Sequence, residues 1–443
     1  MKKNQIPILY LSISLTIFIY VVYKSEFIWS GDRRYYYFTY YLISFFLLIF
    51  SFFCFFINQK VKTYSLILIV STFFAFYSFE TFQALSLDNY YKSKIYKKDT
   101  GKKYDHRSLL EILDDLKKKD ENVTIRVFPK LWVKNSLIDF FPLSGKSFSK
   151  TINCNENGYF SIFESDRYGF NNLDNVWDQN NTKYFLLGDS FVQGCCVDRP
   201  NDFSSTLAML SKKNVINVGY AGNGPLLEYA SLKEYYPQNV ENILWFYYEG
   251  NDAKDLHSEF SNKFLKKYID DNNFSQNLKQ KQNIVDEEIL KIINYKKQQL
   301  VLNNNFKKKA YQFIKLTNLR SMMNSFLPEK NRPPTQKLIG PEFKKVMKLV
   351  KEFSKTNGSD LYFVYLPTFK RYKKIDNNNK NYSKVKSVIN DLDIPLIDIH
   401  ELVFKKETNP LSLFPFQKEG HYNVEGYSKI ANVIHEFVQN SKK

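Results

Sequence analysis

Cysteine is scarce: four in 443 residues, with no CxxC pair. That excludes a disulfide-built scaffold and a cysteine-rich zinc module. Glycine and proline are also sparse, at 15 and 14, which excludes collagen-like and low-complexity architecture. Arginine is the rare cation. Of 63 basic residues only 9 are Arg and 54 are Lys, against 45 acidic ones, for a net charge of +18. Nucleic-acid readout leans on the bidentate guanidinium fork. Abundant Lys beside abundant Asn, Ile, Phe and Tyr, all with A/T-rich codons, reads instead as compositional bias. No nucleic-acid partner is expected, only a general attraction to anionic surfaces.

What the chain has is aromatic and apolar residue in long runs, with 40 Phe and 32 Tyr. Asn4 to Tyr23 is uncharged over 20 residues, Tyr35 to Gln59 over 25, and Thr63 to Phe79 over 17 before Glu80. A bilayer takes about 20 apolar residues to cross, so residues 1–88 read as a three-helix membrane anchor. The first run has a signal peptide's basic start, but no small-x-small cleavage site follows it. Trp29, Tyr35, Tyr36 and Tyr37 lie where an aromatic belt would sit. Glu80 is expected near the membrane end of its helix, reaching water. Flanking charge leaves the orientation open: Lys2, Lys3, Lys60 and Lys62 stand against Lys24, Arg33 and Arg34.

Residues 89–150 read as a basic connector, with a helix over Ser108–Lys118 and a strand within Val123–Trp132. From 151 to 443 short apolar strands alternate with amphipathic helices. Strands are expected at Tyr184–Leu187, Val215–Val218, Ile243–Tyr248, Leu361–Leu366 and Pro395–Ile399. The fold class is α/β, a doubly wound parallel sheet. A Lys-, Asn- and Gln-rich insertion at about 255–340, helical over Ile284–Leu302, reads as a solvated excursion near the sheet's ligand-binding edge.

In such a sheet ligands bind outside the carboxyl ends of the strands. Ser190 follows the first strand in Gly188-Asp189-Ser190 and is expected on a turn into a helix, as an exposed nucleophile with its own N–H as oxyanion donor. A serine needs a base. Among five histidines, His421 before the last helix and His400 after the fifth strand are the serious candidates. Asp189 reads as a turn-former.

Gly188-Asp189-Ser190-Phe191 resembles the first block of the SGNH (GDSL-like) hydrolase superfamily. Asn217-Val218-Gly219-Tyr220-Ala221-Gly222 resembles its second, Gly250-Asn251-Asp252 its third, and His421-Tyr422-Asn423-Val424-Glu425-Gly426-Tyr427 its histidine block. Ser165-Asp166-Arg167-Tyr168-Gly169-Phe170-Asn171 is similar to a lead-in of bacterial envelope members. The resemblance covers about 151–443. It implies a flavodoxin-like sheet, with Ser190 as nucleophile and His421 as base. Oxyanion donors would be the N–H groups of Ser190 and Gly222 and the amide of Asn251. It implies no cofactor and no metal.

The chain departs from this pattern at the acid. The family usually carries Asp three residues before its histidine, and Lys418 stands there. The expectation is a Ser–His dyad helped by a backbone carbonyl, with Glu419 as the alternative acid and Asp398 a remoter one. Cys54 lies in the second apolar run. Cys154 could pair with Cys195 or Cys196, or all three could stay reduced; a disulfide needs an oxidising compartment. The reading is a membrane-anchored esterase or O-acyltransferase, its catalytic part extracytoplasmic (periplasmic) on the inner membrane. Its partners would be the membrane, an acylated envelope carbohydrate or other ester, and, for a transferase, a membrane acyl-donor protein. The alternative is a catalytically silent glycan-binding or scaffold domain.

Overall fold

A computed structural model describes residues 4–29, 31, 34–84, 87–133, 140–303, 306–326, 339–373 and 380–442. Lys2, Lys3, Arg33 and residues 304–305 and 327–338 of the insertion lie outside the described residues. The chain forms two compact units, Met1–Leu87 with Lys309–Leu327, and Asp88–Lys308 with Pro328–Lys443.

In the first unit three helices are long and apolar enough to cross a membrane: Gln5–Ile28, Arg34–Phe53 and Gln59–Gln83. The second apolar run outlasts its helix. The helix stops at Phe53, residues 54–58 turn, and the Asn58 side chain accepts from Val61 N–H at 2.9 Å to start the third helix. Within a bilayer, hydroxyls make useful interhelical contacts. Ser51 donates to Ser14 at 3.0 Å, and Tyr10 meets Ser65 at 3.1 Å. Glu80 does not reach water. It is 1% exposed and accepts from the N–H groups of Asn318 and Leu319, at 3.0 and 2.9 Å, in the first turn of helix Thr317–Phe326. A carboxylate on the orphan donors of a helix start is favourable.

The second unit holds two sheets. The smaller comprises β1 (Val123–Ile125), β2 (Lys150–Ile152) and β3 (Ile162–Glu164), with β1 parallel and β3 antiparallel to β2. The larger comprises β4 (Thr182–Leu187), β5 (Asn214–Asn217), β6 (Val240–Tyr248), β7 (Asp360–Leu366) and β8 (Leu396–Asp398). All pairs are parallel, in the order β5-β4-β6-β7-β8, the flavodoxin-like arrangement with its switch point between β4 and β6.

Successive strand residues face opposite sides of a sheet. Phe185, Leu187, Ile243, Trp245 and Phe363 enter one core; Tyr184, Leu186, Leu244, Phe246 and Val364 enter the other. Burial on both faces is why these strands read as continuous apolar runs.

Residues 89–150 are more than a connector. Helix Leu109–Lys117 has a full capping box from Ser108 and Glu111, and β1 pairs into the small sheet. The insertion is also less solvated than its composition suggests. Helix Gln282–Asn303 buries Val285, Ile289, Ile292 and Ile293 in the sheet's core.

Candidate active site

β4, β5 and β6 end beside one another, and each delivers one expected residue. After β4, Gly188 admits the chain close to Val192, whose Cγ2 would lie 2.4 Å from a Cβ there. Asp189 is buried, and its Oδ1 accepts from Phe191 N–H at 2.9 Å, an Asx-type turn. Burial pushes its pKa up, and the amide of Asn251 works the other way. Ser190 does not open a helix, contrary to the sequence expectation. Residues 190–196 form turns closed by Gln193 N–H on the Asp189 carbonyl and Cys195 N–H on the Ser190 carbonyl, both 3.0 Å; the helix starts at Phe203. No helix dipole acts at Ser190.

His421 is the histidine at Ser190. Its Nε2 is 2.8 Å from Ser190 Oγ. His400 lies in the short helix Ile399–Leu402, with Nδ1 2.7 Å from Tyr372 hydroxyl; burial, then the Arg371 charge, push its pKa down to about 4.

The carboxylate on His421 is Glu156. Its Oε1 is 3.0 Å from His421 Nδ1, and its Oε2 accepts from His421 backbone N–H at 2.6 Å. Burial raises the Glu156 pKa, but the His421 charge and both hydrogen bonds outweigh it and hold the carboxyl below its ordinary range. Glu419 lies elsewhere: it is mostly exposed and pairs with Lys370 at 3.0 Å. Gly420 between Glu419 and His421 lets the chain turn, so two-residue spacing does not put both side chains on one face. Asp398 bonds Tyr382 and Lys386, at 2.5 and 2.9 Å.

Glu156 sits on the loop between β2 and β3, 265 residues from His421. No spacing rule links the two. The available signal was a cysteine: Cys154 is bridged to Cys196, six residues beyond Ser190. Cys195 stays a buried free thiol, its pKa pushed up to about 12 by burial. Glu156, Cys196 and His421 offer atoms within 4.8 Å of one another. With the Cys196 sulfur in a disulfide, that set lacks a thiolate to hold a metal.

Gly222 has φ +83°, a conformation that favours glycine. A Cβ there would meet Lys130 Cδ at 3.1 Å and Phe128 Cδ1 at 3.2 Å. Neither the Ser190 nor the Gly222 N–H has an acceptor among the described residues. Asn251 Nδ2 donates to Asp255 Oδ2 at 2.9 Å, and Lys130 Nζ reaches the same oxygen at 3.2 Å. Lys130, on the segment between β1 and β2, therefore meets the Asn251 amide through Asp255, a contact absent from the sequence reading.

The lead-in loop is a buttress. Asp166 is fully buried and accepts from Tyr168 and Phe170 N–H, Asn172 Nδ2 and Trp177 Nε1 at 2.7–2.9 Å. Asn171 Nδ2 donates to the Gln193 carbonyl, 2.8 Å away. A cavity of about 880 Å³ is lined by Asn157 and Asn423, near neighbours in sequence of Glu156 and His421, and by Tyr96, Tyr159, Phe416 and Glu425.

No family model matches the chain, and no curated protein does. Solved structures give remote likenesses. A protein described as lipolytic and of the G-D-S-L family, from Desulfitobacterium hafniense, is 13% identical, with 58% of this chain and 99% of that one covered and a TM-score of 0.31. An acetyl xylan esterase has the same identity and coverages and a TM-score of 0.30. The esterase EstA from Pseudoalteromonas is 10% identical, with 59% and 98% covered and a TM-score of 0.28. The chemistry proposed next rests on the site's own geometry.

Proposed function

We propose that the chain is a membrane-anchored serine hydrolase of SGNH type acting on carboxylic esters, or an O-acyltransferase built on the same acyl-enzyme. The observation that carries this is the unbroken relay from Ser190 Oγ through His421 Nε2 and Nδ1 to Glu156, with 2.8 and 3.0 Å links. His421 takes the Ser190 proton as Oγ attacks the ester carbonyl. Glu156 fixes the imidazole tautomer and stabilises the imidazolium. Charge on the carbonyl oxygen is held by the N–H groups of Ser190 and Gly222 and by Asn251. His421 then protonates the leaving alkoxide, and water or an acceptor hydroxyl releases the acyl group. No cofactor enters these steps.

The cavity lined by Asn157 and Asn423 supports a carbohydrate ester as substrate. Tyr96, Tyr159 and Phe416 offer flat apolar faces, and Asn157, Gln417 and Glu425 offer polar groups for hydroxyls. An acylated envelope glycan would meet that mix. Transfer would draw on a membrane acyl-donor partner, hydrolysis only on water. A silent scaffold is the weaker reading, because its main support was a missing acid and Glu156 occupies that place.

A serine-directed phosphonate probe tests the proposal. It should label Ser190 alone. Ser190→Ala should lose both labelling and turnover of an aryl ester; turnover persisting in clean Ser190→Ala protein would remove Ser190 as nucleophile.

A further inference from the structure

The carboxylate on His421 does not come from the large sheet. It is carried on the β2–β3 loop of the small sheet, whereas Ser190 and His421 stand on loops of the large one. A relay assembled from two sheets needs something to hold the loops in register.

Cys154 precedes Glu156 by two residues, and its disulfide partner Cys196 lies on the Ser190 loop. Cys196 Sγ is 3.8 Å from His421 Nδ1, the nitrogen that faces Glu156. Cys196 has φ +68°, an uncommon conformation for a residue with a Cβ. Beside the bridge, Asn157 Nδ2 donates to the Cys196 carbonyl at 2.7 Å. The residues on both sides of Glu156 are thus fastened to one residue of the nucleophile's loop. The disulfide is the only covalent fastening. Without it the Glu156 loop is held there by non-covalent contacts.

We propose that the Cys154–Cys196 disulfide is a positioning element for the acid: oxidised protein runs the Ser190–His421–Glu156 triad, and reduced protein falls back to a Ser–His dyad. The proposal rests on the serine-hydrolase reading above. The chemistry balances as thiol–disulfide exchange. A dithiol donor gives two electrons and two protons, is itself oxidised to a disulfide, and leaves Cys154 and Cys196 as thiols. The reverse exchange, with a disulfide donor, rebuilds the triad.

The experiment uses the full chain in detergent, oxidised or treated with dithiothreitol. Free thiols are counted by mass after alkylation, rising from two (Cys54 and Cys195) to four. Aryl-ester kinetics are read as kcat and KM. Reduction should lower wild-type kcat on the order of 10²-fold or more, with KM within about twofold. Glu156→Gln should show the same loss of kcat while oxidised, and reduction should lower its kcat by no more than about twofold. Cys154→Ser should behave as reduced wild type.

Wild-type protein with four thiols and unchanged kcat would overturn the proposal. So would Glu156→Gln losing as much again on reduction. Loss of phosphonate labelling together with the native circular dichroism on reduction would make the bridge a fold staple and overturn it too. Ester turnover in oxidised Ser190→Ala is a separate result, which overturns the underlying reading and the proposal with it.

Discussion

At the residue scale the decisive contrast is between two glutamates. Glu419 is close to His421 in sequence and far from it in function, paired with Lys370 at the surface. Glu156 is remote in sequence and accepts two hydrogen bonds from His421. Glu156→Gln should therefore lower kcat by between ~10² and ~10⁴, the range from losing a general catalyst to losing a triad acid. Glu419→Gln should stay within about twofold of wild type. Steady-state kinetics on one ester, with unfolding curves to confirm both folds, separate them; equal losses would refute the Glu156 assignment. The stability sign follows from the depressed Glu156 pKa. Its contribution is present above the ordinary carboxylate range and is lost as pH falls through the lowered value. The placement of Ser190, Gly222 and Asn251 after strands and of His421 before the last helix was legible in the alternation of apolar runs and turns. Glu156 was not, because its loop belongs to another sheet and only the cysteine pair linked it to Ser190.

At the element scale, the sheet was readable and the edges of the apolar elements were not. Strands buried on both faces leave unbroken apolar runs, so four of the five were anticipated to within a residue or two, and β6 starts three residues earlier, at Val240. The second membrane helix was overextended because Phe55, Phe56 and Ile57 continue the apolar run through a turn. Pattern also missed that insertion residues 309–326 group with the three long apolar helices. That grouping shows at Glu80, whose two oxygens serve the first turn of helix Thr317–Phe326. Glu80→Ala would remove the carboxylate partner of two part-buried N–H donors, a loss of about 1 kcal/mol each. The expected outcome is a lower thermal midpoint in detergent for the variant, with the Ser190 phosphonate-labelling rate unchanged. An unaltered midpoint would mean that those donors find water instead.

At the scale of the whole molecule the open quantity is the side of the membrane on which the second unit works. Loop charges do not decide it, with four lysines on one side against three cations on the other. Seven basic residues between Lys92 and Arg107 would favour a cytoplasmic placement if they counted, but long domains cross largely regardless of such charge. The disulfide weighs more. Cys154 and Cys196 are bridged, and reducing compartments keep such pairs open. Three spans would put the two ends of the chain on opposite faces, so an inside N-terminus and an outside second unit would be one consistent arrangement. We therefore expect a tag fused after Lys443 to be cleaved by protease in intact spheroplasts. Cys154 and Cys196 from the same cells should resist alkylation until reduced. A tag protected until lysis, with both cysteines alkylated at once, would place the unit in the cytoplasm. The Glu156 loop would then be unfastened in the cell, and any ester chemistry there would run on Ser190 and His421 alone.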